Sequence, residues 1–230
     1  AMVRALKYNG GISKNNLVNE DTEALKKGLA NLEAHIDNIR KYGLPVVVAM
    51  NRFHTDTPDE IYIVKGYCSE KGVPYAFSDV FGKGGEGGTE LAEKVCEIID
   101  TEDGKDTFKP IYNAEDTIEE KILKIARDIY GADKVVYSGK AVKAIDAIRK
   151  VGGDKLPVCI AKTQYSLSDN PALLGRPTGF DINISNLTIS NGAGFVVAYS
   201  GNIMTMPGLP KVPAAESIDI DNNSVKDGLF

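Results

Sequence analysis

The chain has 230 residues, 43% hydrophobic and 26% charged, with a net charge of −5 and a pI near 5.2. These values are ordinary for a folded globular protein with room for one or two domains, and the acidic balance argues against nucleic acid as a partner. Two histidines and no tryptophan leave almost nothing for a histidine metal cluster.

No apolar run approaches the ~18 residues of a membrane helix, and the first residues lack the apolar stretch of a secretory signal. Cys68, Cys96 and Cys159 are scattered and form no CxxC pair. They are expected as small buried hydrophobes in a reducing cytoplasm.

In chain order, Val3 to Leu17 contains the Asn9-Gly10-Gly11 turn signal and reads as a lead-in segment. From Asp21 to Tyr42, Leu25, Leu29, Leu32, Ile36 and Ile39 recur at helical spacing, and Gly43 stops the pattern. Pro45 to Met50 is short, continuous and β-branched, which predicts a buried strand.

The unit then repeats. Thr57-Pro58-Asp59-Glu60 opens a helix with a cap, a proline and first-turn acids, ending near Lys71-Gly72. A strand at Pro74–Ser78 follows, then a third helix from a Thr89 cap through Ile99. After a polar connector (Thr101 to Asp106), Thr117 to Glu120 has a capping-box pattern and opens a helix ending near Gly131. Lys134–Tyr137 is a strand, Ser138 caps a helix to about Val151, and Leu156–Lys162 is a strand.

Such alternation predicts an α/β fold, with parallel strands joined by helical crossovers over residues 1–162. Residues 163–230 are richer in Gly, Pro, Asn and Ser. They read as a smaller, mostly β or irregular domain with strands at about Phe180–Ile189 and Gly194–Tyr199.

Ligands of open parallel sheets bind beyond the carboxyl ends of the strands. That rule selects the loop Asn51-Arg52-Phe53-His54-Thr55-Asp56 and the loop from Asp79 to Gly88. Each carries a phenylalanine three residues past its expected strand. On neighbouring strands, Phe53 and Phe81 would face each other and grip a flat ring; otherwise both plug their loops onto the sheet.

The glycine run Gly82 to Gly88 permits close approach to a ligand, but no GxxxxGK[ST] occurs anywhere in the chain. A loop that lets Phe81 reach a ligand fits it better than a phosphate cradle. His54 has no paired nucleophile. Asn51, Arg52 and Asp56 either bind polar ligand groups or cap the next helix. Lys162-Thr163-Gln164-Tyr165 follows the last parallel strand and reads either as part of the ligand face or as a polar hinge. No catalytic set and no metal-ligand spacing is visible.

The segment Asn51 to Thr57, the Gly82–Gly88 run and Met204-Thr205-Met206-Pro207-Gly208-Leu209-Pro210 together resemble formate–tetrahydrofolate ligase, also called formyltetrahydrofolate synthetase. Ala161-Lys162-Thr163-Gln164 and Gly228-Leu229-Phe230 are similar to the same family. The resemblance runs from about Val3 to the end, with its motifs in order.

It implies an enzyme that uses ATP and magnesium to join formate to tetrahydrofolate, through formyl phosphate, giving 10-formyltetrahydrofolate. It further implies that the P-loop lies in an N-terminal ATP-binding domain missing here. This chain would then be a C-terminal portion, with Ala1-Met2 of cloning origin and Phe230 the natural end.

By the same resemblance Phe53 and Phe81 hold the folate ring, with Asn51, Gly82, Lys83 and Gly84 around it. Lys162, Thr163 and Gln164 are placed near the nucleotide. Bacterial relatives commonly carry tryptophan where Phe81 stands, so the stacking face here is smaller. The full-length enzyme is expected to be a cytoplasmic homo-oligomer, a tetramer, with small-molecule substrates and no membrane or nucleic-acid partner. The 230-residue chain alone is expected to be inactive, with ATP and magnesium used only by the full-length protein. The alternative is a structural or assembly module without ligand binding of its own.

Overall fold

The structure is a computed structural model that describes residues 1–101, 107–201, 203, 211–220, 222 and 226–227. The motifs Met204–Pro210 and Gly228–Phe230 lie outside the described residues, as does most of the polar connector before residue 107.

Two hydrophobic clusters organise the chain. The first gathers Val3 and Leu6 of α1 (Val3–Asn9), Leu25 and Leu29 of α2 (Thr22–Lys41), Met50 of β1 (Val48–Asn51) and Val64 of α3 (Pro58–Glu70). The lead-in segment is therefore a helix. Its seven residues are too few to display an apolar period, and it is stabilised by packing rather than by propensity. Gly28 permits that packing: a Cβ there would lie 1.9 Å from the Leu6 carbonyl oxygen.

The caps read from the sequence mostly form. Thr57 and Glu60 close a reciprocal capping box on α3. Thr117 and Glu120 do the same on α6 (Ile118–Ile125), and Ser138 caps α7 (Gly139–Lys150). Asp21, which the sequence reading did not mark as a cap, accepts the Ala24 N–H at 2.8 Å on α2. Thr89 is different. It is the first residue of α5 (Thr89–Asp100), and its hydroxyl donates back to the Glu86 carbonyl instead of capping. Beyond α6 the chain continues as a π-helical segment, Ala126–Tyr130, which ends at the left-handed Gly131.

β1 pairs in parallel with β2 (Tyr75–Ser78), with Asn51 level with Ser78. The loops after both strands therefore leave from one end. The second cluster surrounds a separate four-stranded sheet of order β3-β5-β6-β4, with α6 and α7 packed against it. Here β3 (Lys134–Tyr137) runs parallel to β5 (Asp181–Ser190), β5 antiparallel to β6 (Phe195–Ser200), and β6 parallel to β4 (Val158–Ala161).

Two expectations change here. β3 and β4, consecutive in sequence, do not pair. The β5–β6 hairpin lies between them, so they run in opposite directions on opposite edges. The boundary expected at residue 162 also falls inside one sheet, because strands from both sides of it share hydrogen bonds. The gain is burial: Ile182, Ile184, Val196 and Ala198 of the hairpin complete the core begun by Ile118, Ile122 and Ile145. Near the end, β7 (Asp219–Ile220) pairs with β8 (Lys226–Asp227).

Of the cysteines only Cys68 is buried; Cys96 and Cys159 are exposed, contrary to expectation. Both lie at solvent-facing positions of amphipathic elements. Among the described residues, no helix is long and apolar enough to cross a membrane.

Candidate functional site

The carboxyl ends of β1 and β2 open onto a cavity of about 670 Å³. From the β1 loop it is lined by Asn51, Arg52, Phe53 and His54. From the β2 loop come Asp79, Phe81, Gly82 and Lys83, and α1 adds Arg4. Two sequence-selected loops thus meet because their strands are hydrogen-bonded neighbours in register. Gly84 is not among the lining residues.

The loop geometry has clear causes. The Arg52 N–H donates to the Ser78 carbonyl, tying the first loop to the second strand. Asp56 accepts the Phe53 N–H at 2.8 Å and so sets the turn that carries the ring. Burial pushes the Asp56 carboxyl up from its ordinary pKa, against the pull of that hydrogen bond. Arg52 and Asp79 form an ion pair at 2.8 Å on the cavity wall.

In the second loop, Val80–Lys83 makes one helical turn, α4, and Gly84–Gly88 a 3₁₀ segment that returns to the strand end. The Asp79 N–H donates to the Gly87 carbonyl at 2.9 Å, and a Cβ on Gly87 would lie 2.2 Å from the Asp79 carbonyl oxygen. The glycine run therefore lets the loop fold back on Asp79.

The two phenylalanines differ. Phe81 is 99% exposed and plugs nothing. Phe53 is half-buried, and the Arg4 guanidinium lies 3.8 Å from its ring centroid. The Phe81 ring is thus open to solvent on the cavity rim, with its face available for stacking. Arg4 is missed by sequence reasoning, since α1 carries no visible period. Asp79 was within the selected loop, but nothing local marked it apart from its neighbours.

A second cavity of about 490 Å³ adjoins the first, and Arg4 and Phe53 line both. Tyr8, Lys14, Gln164 and Tyr165 form much of its wall. The segment after β4 thus reaches the same face as the two loops, through Gln164 and Tyr165.

Lys162 does not line either cavity. Its ammonium turns into its own loop and donates to the carbonyls of Thr163, Ser166 and Ser168, which uses its three donors. Burial brings its pKa down to about 8. The Thr163 hydroxyl accepts the Tyr165 N–H. Both residues hold the loop that presents Gln164 and Tyr165.

Among the described residues no three His, Cys, Asp or Glu side chains converge to hold a metal ion, so no step is assigned to a metal bound by these residues. What the site offers is an aromatic-walled slot with a paired arginine and aspartate, further cations, and open backbone from a glycine turn. Such an arrangement suits a flat, polar-edged ring.

The family model described as formate–tetrahydrofolate ligase matches residues 1–230, the whole chain. Loops that the sequence resemblance singled out converge on one cavity of this α/β fold, and the chain belongs to the formate–tetrahydrofolate ligase family.

Proposed function

We propose that this chain supplies the tetrahydrofolate platform of an ATP-dependent formate–tetrahydrofolate ligase, with the pterin held between Phe53 and Phe81. The observation that carries this reading is the shared cavity at the carboxyl ends of β1 and β2, which both rings line. The Arg52–Asp79 pair and the Asn51 amide supply polar groups for the ring edge, and Gly82 and Lys83 close the side.

The chain by itself does not form 10-formyltetrahydrofolate on this reading. Phosphoryl transfer needs a cradle of backbone N–H groups and cations around the phosphates. No P-loop sequence occurs in these 230 residues. The glycine run has another use, folding against Asp79. ATP, magnesium and formate then belong to groups contributed by the rest of the enzyme.

A second reading, an assembly module without ligand binding, draws on α5. None of that helix is buried, and Val95 and Ile99 are exposed on it.

Titration calorimetry separates the two. Tetrahydrofolate is expected to bind the folded chain, and the Phe53→Ala, Phe81→Ala double variant to lose at least about tenfold in affinity. Stacked aromatic faces contribute roughly 1–3 kcal/mol each. No binding to a folded wild-type chain rejects the platform and leaves the assembly reading. Formation of 10-formyltetrahydrofolate by the chain alone rejects the predicted inactivity.

A further inference from the structure

The second cavity contains two cations and no acid. Arg4 and Lys14 line it, no aspartate or glutamate does, and neither cation makes an ion pair among the described residues. On a chain with a net charge of −5, an acid-free hollow with two unpaired cations stands apart from the surrounding surface.

Its walls are aromatic as well. Tyr8 and Tyr165 meet edge to face, 6.1 Å between centroids, and the Lys14 ammonium lies 4.2 Å from the Tyr165 centroid and 5.9 Å from that of Tyr8. Cation–π contacts hold the ammonium over the rings without neutralising it, so its charge remains for an anion. Asn9 is occupied with structure: it donates to the Ala5 carbonyl and accepts the Gly175 N–H.

The partition between the cavities is formed by Arg4 and Phe53, which belong to both walls. A molecule with a flat ring on Phe53 in the first cavity therefore has a direct way past Arg4 into the second.

We propose that the second cavity is a subsite for the carboxylate-bearing tail of the ligand whose ring occupies the first. Tyr8 and Tyr165 pack against the aryl part of the tail, and Lys14 pairs with its carboxylates. Arg4, stacked on Phe53, positions that ring and adds positive charge at the passage. The proposal rests on the reading of the first cavity as a pterin slot. It assigns Lys14 a role in binding strength for anionic tails and none in holding the ring.

The test is calorimetric titration of the full 230-residue chain with two probes. Tetrahydrofolate carries the ring and the dicarboxylate tail; 6-methyltetrahydropterin carries the ring alone. Lys14→Gln is expected to weaken tetrahydrofolate about tenfold, in keeping with a charge-assisted pair, and to leave 6-methyltetrahydropterin within about twofold. Lys14→Arg restores tetrahydrofolate binding. The difference between wild type and Lys14→Gln shrinks as ionic strength rises to about 0.3 M, because the pair lies near solvent.

Lys14 is exposed on a short 3₁₀ turn, and circular dichroism checks that the variant folds. Equal tetrahydrofolate affinity in wild type and Lys14→Gln, with ring binding retained, overturns the tail subsite alone. Failure of both probes to bind the folded wild type overturns the ring slot, and the subsite with it.

Discussion

The two phenylalanines of the site are not equivalent. Phe81 touches solvent over nearly its whole surface, so Phe81→Ala is expected to change stability by no more than about 0.5 kcal/mol, as at other surface positions, while weakening tetrahydrofolate binding. Phe53 is half-buried under Arg4, and its replacement by alanine lowers both affinity and melting temperature. Parallel urea unfolding and calorimetry on the two single variants check this split. A large loss of stability in Phe81→Ala would mean that the ring packs on the protein after all.

Lys162 gives a prediction with a definite sign. Its pKa in the folded chain is about 8, below its ordinary 10.5, so the folded state releases the proton first. Its contribution is therefore present above 10.5 and lost as pH falls through 8. Wild-type stability relative to Lys162→Met is expected to rise between these two values. Urea unfolding of both proteins from about pH 7 to about 10 tests it. A difference that stays flat, or falls, contradicts the buried ammonium.

At the residue scale, Asn51, Phe53 and Phe81 were legible because a strand end and an aromatic offset are local signals. Arg4 was not, since it reaches the site only through the packing of α1. Lys162 was legible in position but not in direction. No local pattern tells whether a lysine after a strand faces a ligand or its own loop.

Among the elements, α1, which brings Arg4 to both cavities, was the least legible. It is held by glycine contacts and by a buried ion pair. Lys7 and Glu60, 1% and 0% exposed, lie 2.8 Å apart and join α1 to α3. The Lys7 ammonium also donates to the Asn19 carbonyl, and Glu60 accepts the Asp21 N–H. Breaking such a pair on one side leaves a buried charge, so Glu60→Leu alone is expected to cost about 3–5 kcal/mol. The Lys7→Met, Glu60→Leu double variant is expected to be more stable than Glu60→Leu. A double-mutant cycle in urea measures the coupling.

Gly28 in the middle of α2 sets helix propensity against packing. Alanine is the better helix former by about 1 kcal/mol. Its Cβ would meet the Leu6 carbonyl oxygen, so Gly28→Ala is expected to destabilise despite that gain. It should also shift α1, taking Arg4 with it, and weaken tetrahydrofolate binding by calorimetry. An increase in melting temperature would show that α1 is not held this closely. The period of α2 was readable from its leucines. Nothing local in that period tells that α1 crosses at its glycine.

At the scale of the whole molecule, the two hydrophobic clusters are joined by contacts from α2. The Asn31 amide donates to the Gly175 carbonyl and that of Asn38 to the Ile129 carbonyl; Asp37 pairs with Arg176 at 2.9 Å. The segment that follows β4 thus spans from the four-stranded sheet to α1 and α2, and its Gln164 and Tyr165 line the second cavity. A ligand that fills both cavities touches elements from both clusters, so its binding is expected to raise the melting temperature of the chain as one transition. At a hundredfold excess over Kd the stabilisation is about 2.7 kcal/mol. Calorimetric scanning with increasing tetrahydrofolate tests it, and two transitions of which only one moves would refute the coupling.

The α/β class and most element positions were legible because helical period, caps and β-branched runs are encoded locally. Sheet membership was not. Nothing in residues 134–161 announces that a hairpin from residues 181–200 will separate β3 from β4.

That insertion has a consequence for the order of events during synthesis. β3 and β4 leave the ribosome first, each an edge with no partner among the strands already made. The sheet closes only when Ser200 has emerged, about forty residues after β4; the β5–β6 hairpin is local, but the β3–β5 and β4–β6 pairings are distant in sequence and slow to form. Until then Ile118, Ile122 and Ile145 lack the hairpin residues that cover them, and the nascent chain exposes both apolar surface and open strand edges. A pause in translation between residues 161 and 200 would therefore prolong the most aggregation-prone interval in the life of this chain.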